Sequence, residues 1–304
     1  MYLQRTLKST IRATGVGLHS GEKVTLVLRP APENSGIVFH RIDLPESIPF
    51  KVEPSLVNDT RLSSTLVRDG VRVGTIEHLM SSFAGLGLDN VIVEVDAPEM
   101  PIMDGSAAPF IYLLQTAGIV DQSASKRFVR VIKTVEATEG DKWVKLAPYD
   151  GYKVALTIDF QHPAFRKSSR LIEIDFAHQN YISEISRART FGFIQEVEYL
   201  RANGLARGGT MDNAVVIDEY RVLNPGGLRF EDEFVRHKVL DAIGDLYILG
   251  HPLIASFSGY KSGHALNNKL LRTLLADEDA WEFVTFSDRQ SVPTSFHDLP
   301  PVGI

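Results

Sequence analysis

The 304-residue chain contains no cysteine, so disulfides and thiolate metal sites are closed to it and any metal ion must be held by His, Asp and Glu. It has no run of 18 apolar residues, and "MYLQRTLKST" is no charged-then-apolar leader. Neither stable membrane insertion nor a signal peptide is therefore expected, and the expected compartment is the cytoplasm. Positive charge is not in excess: 32 Lys and Arg against 38 Asp and Glu leave a net charge of −6, which argues against a general nucleic-acid binder. H-E-x-x-H and G-x-S-x-G are both missing. The glycine string "GVGLHSG" is spaced G-x-G-x-x-x-G rather than as a dinucleotide fingerprint, and lies too near the N-terminus to follow a full strand.

What is present is a globular composition, 44% apolar and 23% charged, on a chain long enough for two domains with real cores. Strand-like runs "KVTLVLRP" and "NVIVEV" flank a helical stretch, "TIEHLMSSFAGLG". The polar, small-residue segment "GIVDQSASKR" reads as a bridge, with a boundary near Gln122 to Lys126 that separates residues 1–124 from 125–304. Strands resume in "FVRVIKTVEAT", "KVALTIDF", "VVIDEY" and "LIASFSGYKSG", interleaved with a long helix in "EFVRHKVLDAIGDLYILG" and a last one in "ALNNKLLRTLLAD". The fold class expected is α+β.

The long helix carries a polar column on an otherwise apolar pattern: His237, Asp241 and Asp245, each one turn from the next. A His and an Asp four apart are the ordinary signature of a solvated helix pair. They also suit two ligands converging on one zinc ion, which in a catalytic site wants a third ligand and an open position. His78 is followed by Gly85, and His237 by Gly244, seven positions on in both cases. If each half is a copy of one α+β unit with its helices facing the other, His78 lies opposite His237 and Asp241 and supplies the third ligand. Glu77 beside it is then the candidate general base, reaching a water without being a ligand. His264, in "GYKSGHALNN", is a candidate general acid with Asp245 to orient it, although a capping or core role fits it equally well from pattern alone.

Six stretches together, "RATGVGLHSGEKVTL", "TIEHLMSSFAGLGLDN", "PIMDGSAAPF", "RARTFGF", "HKVLDAIGDLY" and "KSGHALNN", resemble the UDP-3-O-acyl-N-acetylglucosamine deacetylase family, the zinc amidases of lipid A biosynthesis. The resemblance runs from about Gln4 to Phe286 in the family's order and spacing. It implies two similar domains, each a strand layer and a helix layer, packed with helices inward as a β-α-α-β sandwich. The implied reaction is zinc-dependent removal of acetate from UDP-3-O-(3-hydroxyacyl)-N-acetylglucosamine, the committed step of lipid A biosynthesis.

On the family's pattern one zinc ion is held by His78, His237 and Asp241, Glu77 is the base, and His264 protonates the leaving amine with Asp245 behind it. Thr190 supplies a hydroxyl to the oxyanion, and Lys238 meets charged or polar groups of the substrate. An apolar passage for the acyl chain falls on "TFGFIQEVEYLRANGLARGG", with Phe191, Phe193, Val197, Leu200 and Gly209; ordinary core packing would explain the same apolar residues. Lys142 and Lys261 are implied on the nucleotide side, Phe160 as a stacking ring for uracil, and His19 and Leu62 near the site. The expected partner is this small-molecule lipid precursor, with the chain a monomer. Two rivals are a silent sugar-nucleotide binder, which would need no base, acid or oxyanion donor, and a different zinc amidohydrolase.

Overall fold

The structure, a computed structural model, describes residues 1–297 other than Ser47 and Lys167. In the N-terminal half, strands Ile11–Val16, Lys23–Pro30, Val91–Val95, Ile37–Arg41 and Phe50–Lys51 form a sheet in that spatial order. Neighbours are antiparallel except Ile37–Arg41, which runs parallel to Val91–Val95. Period two decides which face is buried: Val91, Val93 and Val95 enter the core while Ile92 and Glu94 lie partly exposed. The C-terminal half is a mixed seven-stranded sheet around Leu253–Tyr260, which pairs with Lys142–Ala147 antiparallel and with Tyr152–Thr157 and Phe128–Val131 parallel. The two sheets enclose the helices, giving the α+β two-domain sandwich.

Three strand expectations change in detail. "FVRVIKTVEAT" is two strands, Phe128–Val131 and Val135–Glu139, because the first pairs with Trp281–Val284 and the second with Lys142–Ala147. "VVIDEY" is a strand only over Val215–Ile217, since the Asp218 carboxylate accepts the N–H groups of Tyr220 and Arg221 and turns the chain. The segment read as a polar bridge is largely a strand, Ile119–Ser125, antiparallel to Leu3–Leu7. Its polar residues find partners there: Gln122 donates to the Ala31 carbonyl and accepts from Asn90.

Six helices occur among the described residues: α1 (Glu77–Leu86), α2 (Ala108–Ala117), α3 (Tyr181–Glu184), α4 (Ile194–Ala202), α5 (Glu233–Tyr247) and α6 (His264–Ala276). Nearly every residue of α1 and α5 is buried, as expected of helices apolar on most faces and enclosed by others. These two pack against each other at the centre of the molecule, α2 beside α1 and α6 beside α5. Gly244 of the seven-residue echo lets α1 and α5 come so close, while Gly85 admits the Tyr181 ring of α3. A Cβ at Gly244 would collide with the Glu77 carbonyl, and one at Gly85 with the Tyr181 ring. Glycine at 244 lets the Glu77 backbone occupy the side-chain space, which carries Glu77 and His78 up to the polar face of α5.

The far ends of the two helices are tied as well. Gly87, with φ 66°, closes α1 in the left-handed region, the Tyr247 hydroxyl donates to the Leu88 carbonyl (2.8 Å), and Lys126 Nζ donates to the Gly87 carbonyl (2.7 Å) and Asp89 Oδ2 (2.6 Å). Burial pushes the Lys126 ammonium down and the Asp89 carboxyl up, each opposed by the other's charge. Lys126 is 1% exposed, so Lys126→Met would leave Asp89 buried without its ion-pair partner, with Arg5 the remaining positive charge near it. The expected loss of stability is ~3–5 kcal/mol. Denaturant unfolding checks it, and a variant as stable as the parent would show that the pair is not buried as described.

Candidate active site

The cluster is assembled from two helices. His237 and Asp241 stand one turn apart on α5, and His78 reaches them from the first turn of α1. All three are buried, and one ligand-type atom from each lies within 4.8 Å of the others. The Nε2 atoms of His78 and His237 face the same oxygen, Asp241 Oδ1, at 3.5 and 3.3 Å, with the imidazole rings nearly perpendicular. His237 Nδ1 lies 3.0 Å from the Ala188 carbonyl. That contact makes Nδ1 the donor and leaves the Nε2 lone pair toward Asp241.

Electrostatics favours the ligand forms. Burial pushes the His237 imidazole down to about 3, keeping it neutral. Burial also opposes the charge on Asp241, but His237, Lys238 and His78 outweigh it and hold its carboxyl well below the usual range. Lys238 Nζ sits 2.7 Å from Asp241 Oδ2, so the cation occupies the other oxygen. His78 turns Nε2 toward Asp241, while its Nδ1 is buried without a hydrogen-bond partner among the described residues. Two imidazole nitrogens and a carboxylate oxygen are donors that suit zinc.

Beside the cluster is an acid–base pair. His264 opens α6, with Nδ1 2.9 Å from Asp245 Oδ2 and Nε2 3.9 Å from Glu77 Oε1. Burial lowers the His264 imidazolium, yet Asp245 and Glu77 more than compensate and hold it up at about 9. Burial raises the Glu77 carboxyl, against the pull of His264 and His78. Thr190 is fixed through its backbone, its N–H to the Gly105 carbonyl and its carbonyl to the Val215 N–H.

These groups open into a cleft of about 920 Å³ lined by all the catalytic, metal and substrate-binding candidates of the sequence except Asp245 and Phe160. Asp245 lies behind His264, 1% exposed. Phe160 is stacked on Phe165 (4.8 Å between centroids) and edge-on to Phe191, placing it in the aromatic cluster behind the wall. One wall is apolar, with Phe191 and Phe193 on a short strand and Val197 and Leu200 on α4, then Gly209. The lining also includes Lys142, Lys238 and Lys261; the last is already engaged by Asp141 Oδ2 at 2.7 Å. Leu62 and His19 line the cleft too.

Sequence reasoning missed two groups. Glu99 accepts the N–H groups of His19 and Ser20 and the Thr75 hydroxyl, binding the His19 loop to the residues that lead into α1. Thr75 itself has φ 57°, and Leu62, Ala206 and Lys261 around the cleft share that left-handed conformation. Ser64 and Asn267 donate to Asp245, and the Ser262 hydroxyl donates to Asn267 Oδ1. No spacing could have signalled Ser64, which meets Asp245 across 181 positions of chain.

A buried His-His-Asp group next to a carboxylate and a third histidine, at the base of a part-apolar cleft in a two-domain α+β sandwich, fits a hydrolytic enzyme. The family is narrower. The chain belongs to the UDP-3-O-acyl N-acetylglycosamine deacetylase (LpxC) family, whose model matches residues 4–276. It is similar to the UDP-3-O-acyl-N-acetylglucosamine deacetylase of Chromobacterium violaceum, 67% identical over 99% of both chains. The proteins of the same name from Neisseria meningitidis and Thioalkalivibrio sulfidiphilus are 62% and 59% identical, over 98% and 97% of this chain and 98% of each of theirs. No helix among the described residues is long and apolar enough to cross a membrane.

Proposed function

We propose that the chain removes acetate from the 2-acetamido group of UDP-3-O-(3-hydroxyacyl)-N-acetylglucosamine in a reaction that uses one zinc ion, the committed step of lipid A biosynthesis. The observation that carries the reading is the convergence of His78, His237 and Asp241 within 4.8 Å, beside Glu77 and His264. Residues 1–124 and 125–304 are taken as the two units, the first contributing Glu77 and His78 and the second the remaining ligands and the acid.

His78, His237 and Asp241 would hold the ion, which when bound supplies Lewis acidity toward water and an amide carbonyl. Glu77 takes the proton of the attacking water, a task suited to a buried carboxylate whose affinity for protons is raised. The Thr190 hydroxyl donates to the carbonyl oxygen as it gains charge. His264, held protonated and oriented by Asp245, gives its Nε2 proton to the sugar nitrogen as the C–N bond breaks, so the amine leaves neutral. Lys238 adds positive charge at the substrate side, Lys142 and Lys261 face the diphosphate, and the apolar wall takes the acyl chain.

Because the imidazolium is the working form and is held up at about 9, kcat/KM should be sustained below that pH and fall as pH rises through it. Asp245→Asn removes the largest charge that supports it, so the alkaline limb should move to lower pH. A pH–rate profile in which that limb stays put would remove His264 from the acid role. Acetate release from the UDP-sugar, measured against N-acetylglucosamine and N-acetylated peptides, tests the whole reading. Turnover confined to the UDP-sugar is expected; binding without release would mark a silent nucleotide binder, and peptide turnover a different amidohydrolase.

A further inference from the structure

Ser64 is 1% exposed and belongs to no motif. Its backbone N–H donates to Glu77 Oε2 at 3.0 Å, and its hydroxyl donates to Asp245 Oδ1 at 2.6 Å. One residue thus holds the base through its main chain and the partner of the acid through its side chain. Asp245 also takes Asn267 Nδ2 at 2.8 Å and His264 Nδ1 at 2.9 Å, and Asn267 is steadied in turn by the Ser262 hydroxyl. The circuit closes where His264 Nε2 comes within 3.9 Å of Glu77 Oε1.

We propose that Ser64 is a positioning residue that keeps the acid in register with the base: its hydroxyl fixes the Asp245 carboxylate, and through it the plane of the His264 ring, against the same peptide that anchors Glu77. The inference rests on the acid and base roles given above. Asn267 alone cannot do this, because a carboxylate held on one oxygen can still rotate about its bond to Cβ; the bond to Oδ1 removes that freedom. A single charge-assisted O–H bond of this kind is strong, and the site contains no other donor to Oδ1 besides His264 among the hydrogen bonds described.

Ser64→Ala should lower kcat by about tenfold, the size of one hydrogen bond to a charged group, with KM and zinc content unchanged. Ser64→Thr, which restores the hydroxyl, should recover most of the loss. In an Asp245→Ala background, where no carboxylate remains to be positioned, Ser64→Ala should cost nothing further. The His264 Nδ1–H resonance in the NMR spectrum of the zinc-loaded protein, assigned by its disappearance in His264→Gln, should shift in Ser64→Ala and return in Ser64→Thr. An unmoved resonance, a loss expressed in KM, or the same loss without Asp245 would each overturn the proposal. A protein that releases no acetate would sink the deacetylase reading, while the resonance comparison would still decide what Ser64 does.

Discussion

His237→Ala should abolish tight zinc binding and deacetylation together while leaving a folded protein. The imidazole is 2% exposed and kept neutral by burial, its Nδ1 is committed to the Ala188 carbonyl, and its Nε2 is aimed at Asp241. Removing it leaves two of three ligands, too few to retain the ion against dilution. The fold has other supports, since the principal apolar cluster runs continuously through both sheets and both central helices. Metal analysis of the purified variant, with circular dichroism to verify folding, is the check. Stoichiometric zinc in a folded His237→Ala protein would take His237 out of the ligand set.

Removal of the 3-O-acyl chain from the substrate should cost far more than the amide chemistry requires. Binding energy gained away from the reacting bond is what holds the acetamide in place beside Glu77 and His264. Each methylene buried against Phe191, Phe193, Val197 and Leu200 contributes roughly 0.8 kcal/mol, so four lost contacts reduce kcat/KM by about 200-fold. Val197→Asp, which puts a charge into that wall, should weaken the acylated substrate strongly and scarcely alter turnover of a non-acylated analogue. An equal fall for both substrates, with zinc and folding intact, would take the segment from Thr190 to Gly209 out of the acyl site.

The parts of this molecule legible in the sequence are those governed by local periodicity. The α1 and α5 helices, the strand Lys23–Pro30 and the column of His237, Asp241 and Asp245 all follow from spacing along a single element. The echo of Gly85 and Gly244 was legible as a pattern, but its reason was not, because the Tyr181 ring and the Glu77 carbonyl that fill the space come from distant chain. Non-local pairing also decided what the polar segment after Gly118 would become: Leu3–Leu7 offered an edge, and Ile119–Ser125 took it. Ser64 and Glu99 bond residues far away along the chain, which no spacing signals. Phe160, half-buried, packs on Phe165 through a contact that spacing does not signal either.

The most direct measurement titrates zinc into the metal-free protein while acetate release from UDP-3-O-acyl-N-acetylglucosamine is followed. With His78, His237 and Asp241 as a single site, release should start near zero, rise in proportion to added zinc and reach its maximum at one ion per chain. Full turnover before any zinc is added, or a rise that continues to a second equivalent, would contradict a one-ion site built from these three residues.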